Sequence, residues 1–289
     1  MRWLLPTNFG SRLQAAFDEF GQLCVGIDPH SQLLEEWGLP DSVEGVREFS
    51  KAAVDAAAAT VGVIKPQVSF FERFGSKGFA VLEELAVEAQ AAKLIVIMDA
   101  KRGDIGTTMT AYYEAWLGKA APFVCDALTV SPYLGFDSLA ETMSNTAERG
   151  KGLFVLAATS NPEGAALQKA QIGENTLAGD IWMRLEKVNS ITASSATGLG
   201  SFGAVVGATL NLTSVGLGSI QNERPALATP ILAPGFGAQG AELGDIKRLF
   251  GASANSVLAS VSRSVLSAGA RGLQTAILGA KAELAAGLK

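Results

Sequence analysis

The sequence holds a single histidine, His30, and only two cysteines, Cys24 and Cys125. One histidine excludes a multi-histidine metal site and leaves little from which to build a histidine-based triad. The two thiols lie far apart, each in or beside an apolar run. They exclude a disulfide framework and a cysteine zinc site, and predict a reduced, cytoplasmic protein. Basic blocks are missing too: 23 Lys and Arg stand against 28 Asp and Glu, a net charge of −5. Phosphate-backbone binding needs clustered cations, so nucleic acid is not an expected partner, although a few local cations suffice for a small anion. No long uncharged apolar run predicts a membrane span. The opening "MRWLLPTNFG" is too short in its apolar part for a signal peptide, and Pro6 interrupts it. No CxxC, HExxH or Walker-type motif occurs. Any catalysis must lean on Lys, Asp, Glu or Arg.

What is present is apolar and regular. Hydrophobic residues make up 48% of the 289 and charged residues 18%, enough for a sizeable core. Eight short apolar runs read as strands: 23–28, 61–67, 94–101, 127–133, 152–160, 203–209, 230–237 and 257–262. Helical stretches rich in Ala, Leu and Glu separate them. This alternation predicts a parallel sheet buried on both faces, and eight units in roughly 250 residues favour a closed (β/α)₈ barrel over an open doubly wound sheet. No linker or composition shift divides the chain, so 1–289 reads as one domain. The excess length falls mostly after strand five, where 161–190 reads as a helical insertion; 210–229 reads as a helix and loop.

Polar residues collect at the carboxyl ends of these strands: Asp28 on the first, Lys65 on the second, Asp99 and Lys101 on the third, Thr159 and Ser160 on the fifth, Arg263 after the eighth. In a barrel those ends converge on one mouth, where active sites of this architecture form. Asp99 and Lys101 are two apart, so an extended strand points both the same way, while Arg102 points elsewhere. Lys65 can lie beside either. Asp104 falls beyond the strand, and is expected to face a partner subunit. Gly235, Gly237 and Gly240 lie between strand seven and a helix whose free N–H groups suit an anion, with Arg263 near as a phosphate clamp. A metal site would have to be built from Asp28, Asp99 and Asp104, and the interleaved lysines oppose a divalent cation. His30 reads as a lone solvated histidine. Trp3, Trp37, Trp116 and Trp182 read as packing residues, and Tyr112, Tyr113 and Trp116 as an interface or core face.

Taken together, "DAKRGDI" at the end of strand three, Lys65 on strand two, "APGFGAQG" on strand seven and an arginine after strand eight resemble orotidine 5′-phosphate decarboxylase, in particular its longer-chain bacterial subgroup. The resemblance runs from "GIDP" at 26–29 to "SVSRS" at 260–264. It implies cofactor-free and metal-free decarboxylation of orotidine 5′-monophosphate to uridine 5′-monophosphate in pyrimidine biosynthesis. Lys65, Asp99 and Lys101 would form the alternating charged array, completed by Asp104 of the other subunit of a homodimer. Lys101 would protonate C6. Asp28 would hold a ribose hydroxyl, Thr108 would lie near the substrate, Ser160 would hold the pyrimidine amide, and Gln239 with Arg263 would grip the phosphate. Ser262 stands where many relatives carry glycine. Related barrels that use the same motif around Mg²⁺ are the nearest rivals, but they want an acid on strand two, where this chain has Lys65. A non-catalytic phosphate-ligand sensor would keep Arg263 and the glycine loop without needing both Lys65 and Lys101.

Overall fold

The computed structural model describes residues 8–193, 195–223 and 225–289; Trp3 and Pro6 lie outside them. Eight parallel strands close into a barrel: β1 Leu23–Ile27, β2 Val63–Pro66, β3 Ile95–Arg102, β4 Ala127–Val130, β5 Gly152–Ala158, β6 Phe202–Val206, β7 Ile231–Ala233 and β8 Val257–Val261. All eight runs read as strands are strands, and β1 pairs with β8 to complete the ring.

Period-two alternation sorts each strand into an inner and an outer face. Leu23, Val25, Ile64, Val96, Met98, Leu128, Leu153 and Val155 join the outer core, packed against the helices. Cys24, Val63, Ile95, Ile97, Ala127, Phe154, Val205, Leu232 and Leu258 fill the barrel interior. Two residues further on, the same alternation brings Lys65, Asp99, Thr129, Leu156 and Ser260 to the top of the interior, where all five line one cavity. The barrel is thus apolar below and polar at its mouth.

The lower end is closed by α1 (Phe9–Phe20), to which the sequence reading assigned no role. Asn8 caps it by accepting from the Ser11 N–H. Its Phe9, Leu13, Ala16 and Phe17 join the interior cluster, and Phe9 meets Phe154 edge-on with centroids 6.0 Å apart. The fit demands a glycine on β5: a Cβ at Gly152 would stand 2.4 Å from the Phe9 ring.

The helices α2 (Val43–Ala57), α3 (Gly75–Ala91), α4 (Gly106–Trp116), α5 (Ala140–Glu148), α6 (Leu177–Thr192), α7 (Ile246–Phe250) and α8 (Gly269–Gly287) surround the sheet. Tyr113 and Trp116 of α4 are buried, and Trp116 stacks on Phe123. The segment 161–190 divides differently from a helical insertion. Its long helix, α6, packs Ala178, Ile181 and Leu185 into the outer core against β5 and β6, so it is the return helix between those strands. The added chain is a short helical stretch, Pro162–Gln168, and a hairpin pairing Gln171–Ile172 with Asn175–Thr176. Within 210–229 the described residues form only single turns at Thr213–Val215 and Ser219–Asn222, then Leu227–Ala228 paired with Gly198–Leu199.

Phe154 is fully buried where the plug meets the barrel. Phe154→Ala is expected to lower stability by about 3–5 kcal/mol, read as a lower urea midpoint with an unchanged slope.

Candidate active site

The cavity at the mouth has a volume of about 330 Å³, at the lower end of the range for small-ligand sites. At its floor lies Asp99, only 8% exposed. Its Oδ2 accepts from Lys65 Nζ at 2.9 Å and Gln67 Nε2 at 3.1 Å; its Oδ1 accepts from Lys101 Nζ at 2.6 Å and Thr129 Oγ1 at 2.9 Å. Burial pushes the Asp99 carboxyl up, but the charges of Lys65 and Lys101 outweigh it and hold the group well below the usual carboxylate range. Burial likewise pushes the Lys65 ammonium down, while Asp99 and then Asp28 more than reverse this and hold it above the usual lysine range. Asp99 and Lys65 are therefore both charged at neutral pH, a buried ion pair at the base of the cavity.

The two lysines differ in access. The Lys65 side chain is 8% exposed and that of Lys101 45%. They also reach the carboxylate by different routes. Lys65 follows regular strand geometry from β2. Lys101 does not sit on extended backbone, as its spacing from Asp99 had suggested. Between the pairs Met98↔Leu128 and Arg102↔Val130 the register shifts, and Lys101 takes a left-handed φ of +50°. That conformation costs a non-glycine residue about 1–3 kcal/mol and is held only where surroundings over-determine it. Its N–H is taken by Thr129 Oγ1 at 3.0 Å. Arg102, as expected, points elsewhere, to Glu72 and over the rings of Tyr112 and Trp116.

Around the rim stand the other predicted residues. Asp28, just past β1, accepts from the Ser262 hydroxyl on Oδ2, while its buried Oδ1 has no partner. Arg263, just past the neighbouring β8, and Gln239, on the loop after β7, line the same cavity, and Arg263 makes no ion pair among the described residues. Ser160 stands behind Gln239, its hydroxyl 3.3 Å from Gln239 Oε1. Gly235, at φ +114°, lets the loop after β7 turn along the cavity wall in a region closed to other residues. The lining on this side ends at Gln239, so loop backbone faces the cavity, and not the helix start that the sequence suggested. Asp104 and Thr108 are absent from the lining of their own chain's cavity. Asp104 turns its Oδ1 to the Ile105 N–H, and Thr108 is exposed on the first turn of α4.

Gln67 and Thr129, which the sequence reading did not single out, complete the shell of Asp99, and Ser262, noted there only as a departure from glycine, anchors Asp28. His30 is half-buried, not a freely solvated histidine. Its Nδ1 accepts from the Leu33 N–H, its Nε2 is buried without a partner, and burial and then Arg263 lower its pKa, favouring the neutral ring. The signal for Thr129 was available, since it lies two residues after the inward Ala127. Among the described residues no three His, Cys, Asp or Glu side chains gather to hold a metal, and no helix is long and apolar enough to cross a membrane.

The closed parallel barrel thus carries a Lys–Asp–Lys array at its floor and, at its mouth, an arginine with no ion pair among the described residues. Residues 21–275 match the family model described as orotidine 5′-phosphate decarboxylase / HUMPS family, and the chain belongs to that family. Two relatives named orotidine 5′-phosphate decarboxylase, from Streptomyces coelicolor and Corynebacterium glutamicum, are 53% and 45% identical to it; the first alignment covers 89% of each chain and the second 91%. Among solved structures, a Streptomyces avermitilis chain superposes with a TM-score of 0.90 at 48% identity, over 100% of this chain and 99% of that one. Leishmania donovani OMP decarboxylase superposes with 0.71 at 27% identity, over 95% and 99%.

Because the folded Asp99 carboxyl titrates below its ordinary value of 3.8, it adds stability above that pH and loses it as pH falls further. Unfolding measured between about pH 5 and 2 should show the wild type losing stability more steeply than Asp99→Asn.

Proposed function

We propose that this protein decarboxylates orotidine 5′-monophosphate to uridine 5′-monophosphate, the step that forms UMP in pyrimidine biosynthesis, without metal or cofactor. The observation that carries the reading is the Lys65–Asp99–Lys101 array on the floor of a cavity also lined by Arg263, which has no ion pair among the described residues. Loss of CO₂ from C6 leaves a vinylic carbanion with no electron sink in the ring, so preorganised charge must stabilise it. The Lys101 ammonium faces the cavity and, among the described residues, reaches no acceptor but Asp99. It balances the developing charge and then donates its proton to C6. Asp99, ionised and rigid, stands against the substrate carboxylate. Two like charges ~4 Å apart at an effective dielectric of ~20 repel by about 4 kcal/mol. The most proficient enzymes lower barriers by ~23 kcal/mol, so repulsion is the smaller part and carbanion stabilisation the larger.

Binding falls to the rim. Arg263 and Gln239 grip the phosphate, Ser160 holds the pyrimidine amide, and the free Oδ1 of Asp28 accepts a ribose hydroxyl. The phosphate grip lies across the cavity from C6, and its binding energy can be spent on ordering the loop after β7. Asp104, just past β3, and Thr108, exposed on α4, lie outside the cavity of their own chain, which supports a homodimer in which each subunit lends both to its partner's site. The Mg²⁺-using relatives want an acid on strand two; the buried Lys65 at that position opposes a divalent cation.

Absorbance of orotidine 5′-monophosphate is expected to decay rapidly in excess EDTA with the wild type, and at least about a hundredfold more slowly with Lys101→Ala. Decay that requires added Mg²⁺ would overturn the cofactor-free reading. For the shared site, Lys101→Ala and Asp104→Asn proteins, each inactive alone, should regain about a quarter of wild-type activity after unfolding and refolding together, since half the dimers are then hybrids with one native site. A monomer in sedimentation at assay concentration, with no regain, would sink the shared site.

A further inference from the structure

We infer that Thr129 is a positioning residue, whose single hydroxyl sets the Lys101 ammonium and the Asp99 carboxylate in their working geometry. The inference rests on the reading that these two groups act on the substrate. Three residues of β3, Asp99, Ala100 and Lys101, stand between the paired Met98↔Leu128 and Arg102↔Val130, opposite Thr129 alone. The surplus leaves the Lys101 N–H without a place in the ladder, and a buried, unpaired N–H is costly. Thr129 Oγ1 accepts that N–H at 3.0 Å and spends its only proton on Asp99 Oδ1 at 2.9 Å. Lys101 Nζ returns to the same Oδ1 at 2.6 Å, so backbone, hydroxyl, carboxylate and ammonium form a closed ring of contacts.

This ring holds Lys101 at φ +50°. Were the residue to relax to ordinary extended backbone, its side chain would swing relative to Asp99 and the ammonium would leave its place above the cavity floor. Both bonds have a fixed sense: the oxygen accepts from backbone and donates to carboxylate. Serine can supply the same pair. Valine, nearly the same shape, supplies neither, and alanine leaves a gap as well. Thr129 is only 1% exposed, so it acts from beneath the two charged groups.

The test compares Thr129→Val, Thr129→Ser and Thr129→Ala with the wild type. With orotidine 5′-monophosphate, the valine variant should lose about 10- to 100-fold in kcat, the loss expected when a reacting group moves by about an ångström. Its affinity for UMP should stay within about threefold, because that ligand is held at the rim. The serine variant should keep kcat within about fivefold. A valine variant that melts like the wild type and keeps its kcat overturns the proposal, as does a serine variant that falls as far as valine. If valine does not fold, the alanine variant is judged by the same criteria. Hydrogen exchange at the Lys101 amide needs no substrate. It should speed up at least about tenfold in the valine and alanine variants and not in serine. Unchanged exchange in a folded valine variant overturns the proposal even if the wild type proves inactive on this substrate, an outcome that would instead count against the proposed function.

Discussion

A carboxylate kept ionised in a nearly dry place is the constraint on which the rest of this structure depends. Removing such a group from water costs several kcal/mol, and the cost is offset only when its oxygens are filled by well-placed donors. Asp99 has four: Lys65 and Gln67 from β2 and its end, Lys101 from its own strand, Thr129 from β4. Donors from three neighbouring strands meet at one point only if those strands hold a fixed register, and the closed ring of eight supplies that rigidity. Below, Phe154, Leu258 and the α1 plug exclude water from the interior, which makes each charge above more effective than it would be at a surface.

The mouth is therefore divided between saturation and vacancy. Every lone-pair direction of Asp99 is spoken for within the protein, whereas the Arg263 guanidinium, one oxygen of Asp28 and Nε2 of His30 have no partner among the described residues. Groups that must not move are satisfied internally; groups free to meet an incoming anion or hydroxyl are left open. Lys101 bridges the two regimes, paired at one contact and open elsewhere.

Much of this was legible in the residues alone. The strands are short and continuously apolar, so their number and order could be read, and their carboxyl ends put Lys65 and Asp99 at the mouth of the barrel. The left-handed turn at Lys101 could not be read, because nothing in "DAKRGD" marks a non-glycine residue for positive φ; the acceptor of its N–H lies on β4, 28 residues away in sequence. His30 was misjudged because its burial comes from packing beside Phe70 and from capping its own short helix. Residues 161–190 looked like an addition because the helix that belongs to the barrel arrives late, after a hairpin too short to leave a periodic signal. The plug helix α1 went unnoticed for a different reason: an amphipathic helix does not reveal which surface it will cover.

The seal formed by α1 has a consequence for traffic. With the lower end filled by aromatic and aliphatic side chains, every hydron entering the interior must come through the mouth. Lys65, deep and closed off, is then a permanent charge. Lys101, nearly half exposed, is the lysine that bulk solvent reaches. Under the proposed mechanism, each departure of a ligand would let solvent restore the donated proton, and isotope from the solvent would be written into the product one turnover at a time.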